Sequence, residues 1–169
     1  GGYNWVKENA TVETLAKDVE KQKAKYAGSE VLGKKLGVIG LGAIGAQVAN
    51  VCVNLGMDVY GYDPYLSVDN ALKLSRAVNV VKELEELFKI CDYITIHVPA
   101  MADTKGMINK NAMSLMKDGV VVLNFARDLL VDEEAIVDAL VSGHVKHYVS
   151  DFPTPTVVGV KGAIIIPHL

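Results

Sequence analysis

A chain of 169 residues, half of them hydrophobic, is long enough for one domain with a sizeable core. With 17 Lys and Arg against 20 Asp and Glu, its formal net charge is −3, which gives no electrostatic basis for binding nucleic acid or an anionic membrane. No apolar stretch approaches the ~20 residues of a membrane span, and residues 1–10 are not a signal peptide, so we expect a soluble, cytoplasmic protein. Cys52 and Cys91 are expected to be buried free thiols, and the dispersed His and Cys residues predict no metal site.

The first element in chain order is a predicted helix over residues 11–27, with Asn9 or Thr11 as N-cap and Gly28 as its stop. Its apolar positions are sparse. Two interpretations stay open: the helix packs on a partner subunit, with Trp5 at the contact, or it lies on the surface of its own domain. Residues 1–30 are therefore interpreted as an N-terminal helical arm, separate from a main domain over residues 31–169.

From Val31 onward, short apolar strands alternate with helical patterns. The predicted strands are 35–39, 57–61, 78–80, 92–97, 119–123, 146–150 and 162–166, and the predicted helices are 43–55, about 69–75, 82–88, 109–116 and 132–142. This alternation predicts an α/β fold in which helices cover both faces of a doubly wound parallel sheet. Ligands of such sheets bind at the carboxyl ends of the strands.

A glycine-rich turn, Gly40-Leu41-Gly42-Ala43-Ile44-Gly45, follows the first of these strands and opens a helix. Gly40 permits a tight turn, Gly42 leaves room for a pyrophosphate beside the backbone, and Gly45 lets the helix pack closely on the sheet. The amides at the helix start can hold the anion. The motif in this context predicts a Rossmann dinucleotide-binding unit.

The second strand is followed by Asp63, where a carboxylate can accept hydrogen bonds from an adenosine ribose. A 2′-phosphate about 4 Å from this carboxylate would be repelled by roughly 4 kcal/mol per unit charge at an effective dielectric of 20. No arginine follows directly, since the next residues are Pro64, Tyr65 and Leu66. The predicted cofactor is NAD rather than NADP.

Three further segments each follow a strand: His97-Val98-Pro99, Asn124-Phe125-Ala126-Arg127 and Pro167-His168-Leu169. Together with the glycine turn and Asp63, they resemble the D-isomer-specific 2-hydroxyacid dehydrogenases over essentially the whole chain. Within that family the chain is most similar to the short bacterial phosphoglycerate dehydrogenases, on the segments 58–65, 96–100, 124–128, 151–153 and 166–169.

The resemblance implies transfer of a hydride between NAD and C2 of a D-2-hydroxy acid, here 3-phosphoglycerate in serine biosynthesis. It implies that Arg127 grips the substrate carboxylate and carbonyl, and that His168 is the general acid/base. Asp151 matches an acid that meets the nicotinamide carboxamide, although an Asp before Pro153 could also cap the loop. The resemblance also assigns five residues to cofactor binding: Val98, Pro99, Phe125, Ala126 and, beside its role with the substrate, Arg127. The other histidines, His97, His144 and His147, are expected to be structural.

Two positions depart from the family pattern. The family usually supplies a Glu between Asp151 and His168 that orients the histidine, yet residues 152–159 contain no acid. Either His168 works without this partner, or a carboxylate reaches it from elsewhere. Asp128 also follows Arg127 where glycine is usual, so it places a negative charge near an anion site.

The family's separate substrate domain has no counterpart in this sequence, so we expect an isolated coenzyme domain that binds NAD and turns over poorly alone. The resemblance also implies a homodimer that forms through this domain. Three alternatives remain. The first is a non-enzymatic, NAD-responsive module similar to a corepressor. The second is a dehydrogenase for another 2-hydroxy acid. The third is another NAD enzyme with the same half-fold, such as a formate dehydrogenase or an adenosylhomocysteine hydrolase.

Overall fold

The computed structural model describes residues 2–9 and 14–168, and the chain divides into two compact units, Gly1–Glu30 and Val31–Leu169. The first unit contains the helices α1, Gly2–Asn9, and α2, Leu15–Gln22, and a 3-10 turn, Lys23–Tyr26. Within the residues that the structure describes, no helix is both long and apolar enough to cross a bilayer.

The helix predicted over 11–27 is shorter than expected and has a different N-cap. The helix α2 begins after Thr14, whose hydroxyl lies 2.7 Å from Asp18 Oδ2 and, among the described residues, caps no backbone amide. Asn9 is the last residue of α1, and Thr11 lies outside the described residues. The prediction missed α1 because its sequence, GYNWVKEN, combines Gly and Asn with no regular apolar stripe.

The second unit contains every strand and helix predicted for it, each within two residues of the predicted bounds. The strands are β1 Lys35–Ile39, β2 Asp58–Tyr62, β3 Asn79–Val80, β4 Tyr93–Ile96, β5 Val120–Asn124, β6 Val145–Ser150 and β7 Ala163–Ile165. The helices are α3 Ala43–Asn54, α4 Val68–Lys73, α5 Leu84–Ile90, α6 Lys110–Leu115 and α7 Glu133–Ser142, with a 3-10 turn at Asp128–Leu130.

These strands form one sheet in the order β3-β2-β1-β4-β5-β6-β7, and every neighbouring pair is parallel. The chain winds outward from β1 in one direction and from β4 in the other, so the strand order reverses between them. The predicted doubly wound α/β fold is confirmed. Such a reversal opens a crevice at the carboxyl ends of the strands.

Two apolar cores lie on the two faces of the sheet. Two consecutive residues of β1 belong to different cores. Val38 lies in the core that contains Ala49 of α3, and Ile39 lies in the core that contains Leu87 of α5. Because side chains alternate along a strand, this division places α3 and α5 on opposite faces. The strand β1 is therefore covered on both sides, as its continuous burial requires.

The helix α3 buries a different face from the one that carries its larger apolar residues. Ile44 is 68% exposed and Val51 and Leu55 are each 56% exposed, whereas the buried positions are Gly45, Ala46 and Ala49. Small side chains let the helix axis approach the sheet closely. The spacing of the larger residues thus marks the helix but not its buried face.

Both cysteines are free thiols, as predicted, but only Cys91 is buried, and Cys52 is half-buried. Burial raises the pKa of Cys91 to about 12, and it also raises the pKa of Cys52.

Candidate functional site

The glycine turn joins β1 to α3 in a conformation that two of its glycines make possible. Gly40 has a φ of +91°, and its N–H donates to the carbonyl of Tyr62 at 2.8 Å. A Cβ at Gly40 would lie 2.7 Å from the carbonyl oxygen of His97, and one at Gly45 would lie 1.9 Å from the carbonyl oxygen of Gly40. The fold itself therefore requires glycine at positions 40 and 45.

The middle glycine is different, because an added side chain would enter open space. Among the described residues, a Cβ at Gly42 would meet no atom within 4 Å, and its backbone angles, φ −69° and ψ −163°, are open to any residue. Gly42 is the N-cap of α3 and offers no side chain to the amides of Ala43 and Ile44 in the first turn. The start of this 12-residue helix thus combines open space with uncapped N–H groups, which is the combination that binds an anion.

Asp63 is held against the glycine turn by two backbone amides. Its Oδ2 accepts from the N–H of Leu41 at 2.9 Å, and its Oδ1 accepts from the N–H of Tyr65 at 2.9 Å. Each carboxylate oxygen has a second lone pair that can accept another hydrogen bond. The side chain is fixed in position and remains able to bind two neighbouring hydroxyl groups.

A cleft of about 750 Å³ lies beside this turn, at the reversal of the strand order. Its walls come from the ends of β1, β2 and β4 and from the segments that follow them. Five of the predicted cofactor residues line it: Gly40, Gly42, Asp63, Val98 and Pro99. A further group was not predicted: Tyr62, Tyr65, Asn70, Met101 and Thr104. The two tyrosines could have been found, since they flank Asp63 closely in sequence.

His97 also lines the cleft, although we expected only a structural role for it. Its Nε2 lies 3.0 Å from Thr95 Oγ1, and its backbone N–H donates to the carbonyl of Ile39 at 2.7 Å. Burial lowers the pKa of His97 below its usual 6.5, so the neutral ring is favoured. The contact with Thr95 agrees with a structural role, and the neutral ring adds no charge to the cleft wall.

Arg127 extends from a turn that a buried side chain holds. Asn124 Nδ2 donates to the carbonyl of Arg127 at 2.8 Å, and Asn124 Oδ1 accepts from the N–H of Ala126 at 3.2 Å. The Arg127 side chain is exposed, with Nη1 2.6 Å from the carbonyl of Ala126. Asp128 accepts from the N–H of Leu129 and, among the described residues, forms no ion pair with Arg127. The guanidinium therefore keeps most of its donors for a ligand.

Asp151 and His168 meet after the adjacent strands β6 and β7. Asp151 Oδ2 lies 2.6 Å from His168 Nδ1, and the ring of Phe152 stacks on the imidazole with centroids 5.4 Å apart. Of the two possibilities for His168, the structure shows the second: a carboxylate does reach it, and that carboxylate is Asp151. Within the described part of the chain, Asp151 accepts no backbone N–H, so it does not cap its loop.

The predicted residues therefore form two groups. One surrounds the cleft at β1, β2 and β4, with Ala43, Ile44 and Gly45 on the adjoining helix. The other group, Phe125, Ala126, Arg127, Asp151 and His168, follows β5, β6 and β7 and does not line that cleft. All of them lie at the carboxyl edge of the sheet.

This geometry suits a dinucleotide. Gly42 leaves space for a pyrophosphate, the first turn of α3 supplies donors for it, and Asp63 supplies acceptors for a ribose. The cleft volume falls in the range of small-molecule and cofactor sites.

The sequence of this chain is similar to those of known proteins. Residues 4–169 match the family described as D-isomer specific 2-hydroxyacid dehydrogenase, NAD binding domain. A D-3-phosphoglycerate dehydrogenase of Bacillus subtilis is 40% identical over 129 residues, which are 76% of this chain and 24% of that protein. A D-3-phosphoglycerate dehydrogenase of Homo sapiens is 41% identical over 128 residues, which are 75% of this chain and 23% of that protein. The chain thus spans about a quarter of the length of these curated relatives.

The fold is similar to that of solved structures. A D-lactate dehydrogenase from Lactobacillus jensenii, solved with NAD+, has a TM-score of 0.74 at 22% identity over 89% of this chain and 52% of that one. At this identity the likeness concerns the fold alone. Because the family match covers almost the whole sequence, the chain belongs to the NAD-binding domain family of the D-isomer-specific 2-hydroxyacid dehydrogenases, whose cofactor is NAD.

Proposed function

We propose that this chain is the coenzyme domain of an enzyme that transfers a hydride between NAD and C2 of a D-2-hydroxy acid, with 3-phosphoglycerate as substrate and 3-phosphohydroxypyruvate as product. The observation that carries the proposal is the pairing of His168 with Asp151 at the same sheet edge as Arg127 and the glycine turn. The names of the relatives at 40% identity support 3-phosphoglycerate, a reaction that would serve serine biosynthesis.

In the cofactor site, the amides of Ala43 and Ile44 would hold the pyrophosphate over the open position at Gly42. Asp63 would accept hydrogen bonds from the ribose hydroxyls, and Val98 and Pro99 would line the adenine and ribose side of the cleft. Bound NAD supplies the nicotinamide ring that accepts or donates the hydride.

The substrate would lie between the two side chains that the NAD cleft does not use. The planar guanidinium of Arg127 can hold the substrate carboxylate with two parallel hydrogen bonds. His168 then removes the proton from the C2 hydroxyl as the hydride leaves C2, and returns a proton to the carbonyl oxygen in the reverse reaction. Asp128 would lie next to the bound carboxylate, so the phosphate of 3-phosphoglycerate would have to point away from the Asp128 charge.

Two further proposals concern the larger protein. Because the chain spans about a quarter of its relatives, we propose that the substrate domain lies in sequence beyond it. We also propose a homodimer, in which the exposed apolar side chains of α3, Ile44, Val51 and Leu55, form part of the contact. Residues 1–30 would act as an arm in that assembly.

The proposal is tested in the full-length enzyme by following NADH formation from 3-phosphoglycerate and other D-2-hydroxy acids. His168→Gln should reduce turnover by roughly 10²-fold or more and leave NAD binding unchanged. Arg127→Lys should raise KM and lower kcat, because a lysine keeps the charge but loses the paired donors. Arg76→Lys, at an exposed position, is the matched control and should behave as the wild type.

The non-enzymatic alternative predicts a different pattern. The lack of an acid in residues 152–159 favours it, whereas the carboxylate on His168 favours an enzyme. If the wild type binds NAD but oxidises no 2-hydroxy acid, and if neither variant alters its response to NAD, the enzymatic proposal is wrong.

A further inference from the structure

We propose that Asp151 is a positioning residue for His168, which holds the imidazole in the tautomer and orientation needed for proton transfer. The inference deepens the proposed function and rests on it. Of the described carboxylates, Asp151 is the one hydrogen-bonded to this ring, although the two residues are 17 positions apart in sequence.

The sheet brings the two residues together. The strands β6 and β7 are parallel neighbours, with Ser150 paired to Ile165, and the N–H of Ile166 donates to the carbonyl of Ser150 at 2.9 Å. The chain therefore leaves both strands at the same level of the sheet edge, one residue before Asp151 and three residues before His168. The contact is fixed by backbone pairing rather than by a mobile loop.

Among the residues that the structure describes, the Asp151 carboxylate has no hydrogen-bond partner other than His168. The loop after β6 is capped by Ser150, whose Oγ accepts from the N–H of Phe152 at 3.2 Å. The Asp151 side chain is only 15% exposed, and its Oδ1 is buried and has no partner among the described residues. Keeping a carboxylate away from water costs free energy unless a partner compensates for it. His168 is the only such partner that the described residues provide.

The ring itself is held on two sides. Nδ1 lies 2.6 Å from Asp151 Oδ2, and the ring of Phe152 stacks at 5.4 Å with an interplanar angle of 25°. The His168 side chain remains 58% exposed, and its Nε2 has no hydrogen-bond partner within residues 2–9 and 14–168. One nitrogen is therefore committed to the protein, and the other is open.

The chemistry of the pair fixes which nitrogen reacts. An ionised carboxylate can only accept, so Nδ1 must carry the hydrogen, and in the neutral ring Nε2 then has a lone pair. During oxidation, Nε2 would take the hydroxyl proton as the hydride leaves C2, and bound NAD would supply the hydride acceptor. The resulting imidazolium lies against the Asp151 carboxylate, which stabilises its charge. In reduction, Nε2–H returns the proton and the ring becomes neutral again.

The test compares Asp151→Asn and Asp151→Glu with the matched control Asp118→Asn. Asp118 Oδ1 lies 2.5 Å from Nδ1 of another histidine, His144, which is outside both groups of the candidate site. The ring ¹⁵N and ¹H NMR signals of this chain report the tautomer of each histidine, and His168→Gln identifies the His168 signals. Thermal melting and circular dichroism establish that each variant is folded.

We expect His168 to carry its proton on Nδ1 in the wild type and to lose this preference in Asp151→Asn. In the full-length enzyme, Asp151→Asn should lower kcat about 100-fold with little change in KM, since a misplaced catalytic group costs about this much. Asp151→Glu should restore part of kcat, and Asp118→Asn should change neither kcat nor the His168 signals.

Two results would overturn the inference, and they are distinguishable. If a folded Asp151→Asn variant keeps the Nδ1–H tautomer and the wild-type kcat, Asp151 does not position His168, and the proposed function stands. If the wild type binds NAD but oxidises no 2-hydroxy acid, the proposed function fails, and the positioning role fails with it whatever the NMR spectra show.

Discussion

Replacing Gly42 by alanine should weaken NAD binding by about 10- to 100-fold while leaving the domain nearly as stable as before. A methyl group at this position enters the space beside the first turn of α3, where the pyrophosphate would lie. Overpacking of this kind typically costs about 1–3 kcal/mol, and each 1.4 kcal/mol is about tenfold in affinity. Isothermal titration calorimetry of the chain with NAD measures the loss directly.

Stability should change little, because two small effects oppose each other. The φ of −69° suits alanine, and restricting the unfolded chain stabilises the fold by about 0.4–1 kcal/mol. Alanine is a poorer N-cap than glycine, which costs about 1 kcal/mol or less. For a protein of this size, the melting temperature should therefore move by no more than about 4 °C.

Two other glycines are controls for the same substitution. Gly45→Ala would place Cβ 1.9 Å from the Gly40 carbonyl oxygen, so it should destabilise the domain strongly. Within the described part of the chain, a Cβ at Gly28 would meet no atom within 4 Å, and the residue lies outside the second unit. Gly28→Ala should therefore alter neither NAD affinity nor the stability of the domain. If Gly42→Ala bound NAD as tightly as the wild type, the pyrophosphate could not lie at this turn. If it lowered the melting temperature as Gly45→Ala should, the position would not be open.

Three further outcomes are expected. NAD should bind about a thousandfold more tightly than NADP, and Asp63→Ala should abolish most of that preference in a calorimetric titration, because the variant lacks the charge that repels a 2′-phosphate. Because burial lowers the pKa of His97, the unfolded chain binds a proton more readily than the folded domain. Stability in urea should consequently fall as the pH drops below about 6.5, and less so in His97→Gln. Burial raises the pKa of Cys91 to about 12, so at pH 8 an alkylating reagent should modify Cys52 first and Cys91 only after unfolding.

The parts of the fold that could be predicted are those specified by local sequence. The strands and helices from Lys35 onward carry strong periodicity or glycine and polar boundaries, so their existence and order follow from short windows. The face that α3 buries does not follow in this way. From its larger apolar residues, a different face would be expected to be buried. The face that packs on the sheet is that of Gly45, Ala46 and Ala49, because only small residues allow that close approach. Packing against a partner element decides such orientations.

In the candidate site, too, some features follow from local sequence and others depend on how the elements pack. The residues of the glycine turn lie within six positions, so the motif alone predicts that they act together. The contact of Asp151 with His168 depends on the pairing of β6 with β7, and that register is a property of the sheet. From the sequence, Asp151 could be matched to a contact with the nicotinamide or to a loop cap, and the lack of an acid in residues 152–159 left open whether a carboxylate reaches His168 from elsewhere.

The strand order also explains why the site divides into two groups. Neighbouring strands lie about 4.8 Å apart, so Asp63 after β2 and Asp151 after β6 are separated by roughly 19 Å across the edge of the sheet. A mononucleotide bound at the glycine turn could not reach both, whereas a dinucleotide can place one nucleotide on each side of the reversal with the pyrophosphate between them. Substitutions near β1 and β2 should therefore act mainly on cofactor affinity, and those after β5, β6 and β7 mainly on turnover. A variant of Asp151 that lost NAD affinity as severely as a variant of Gly42 would contradict this division.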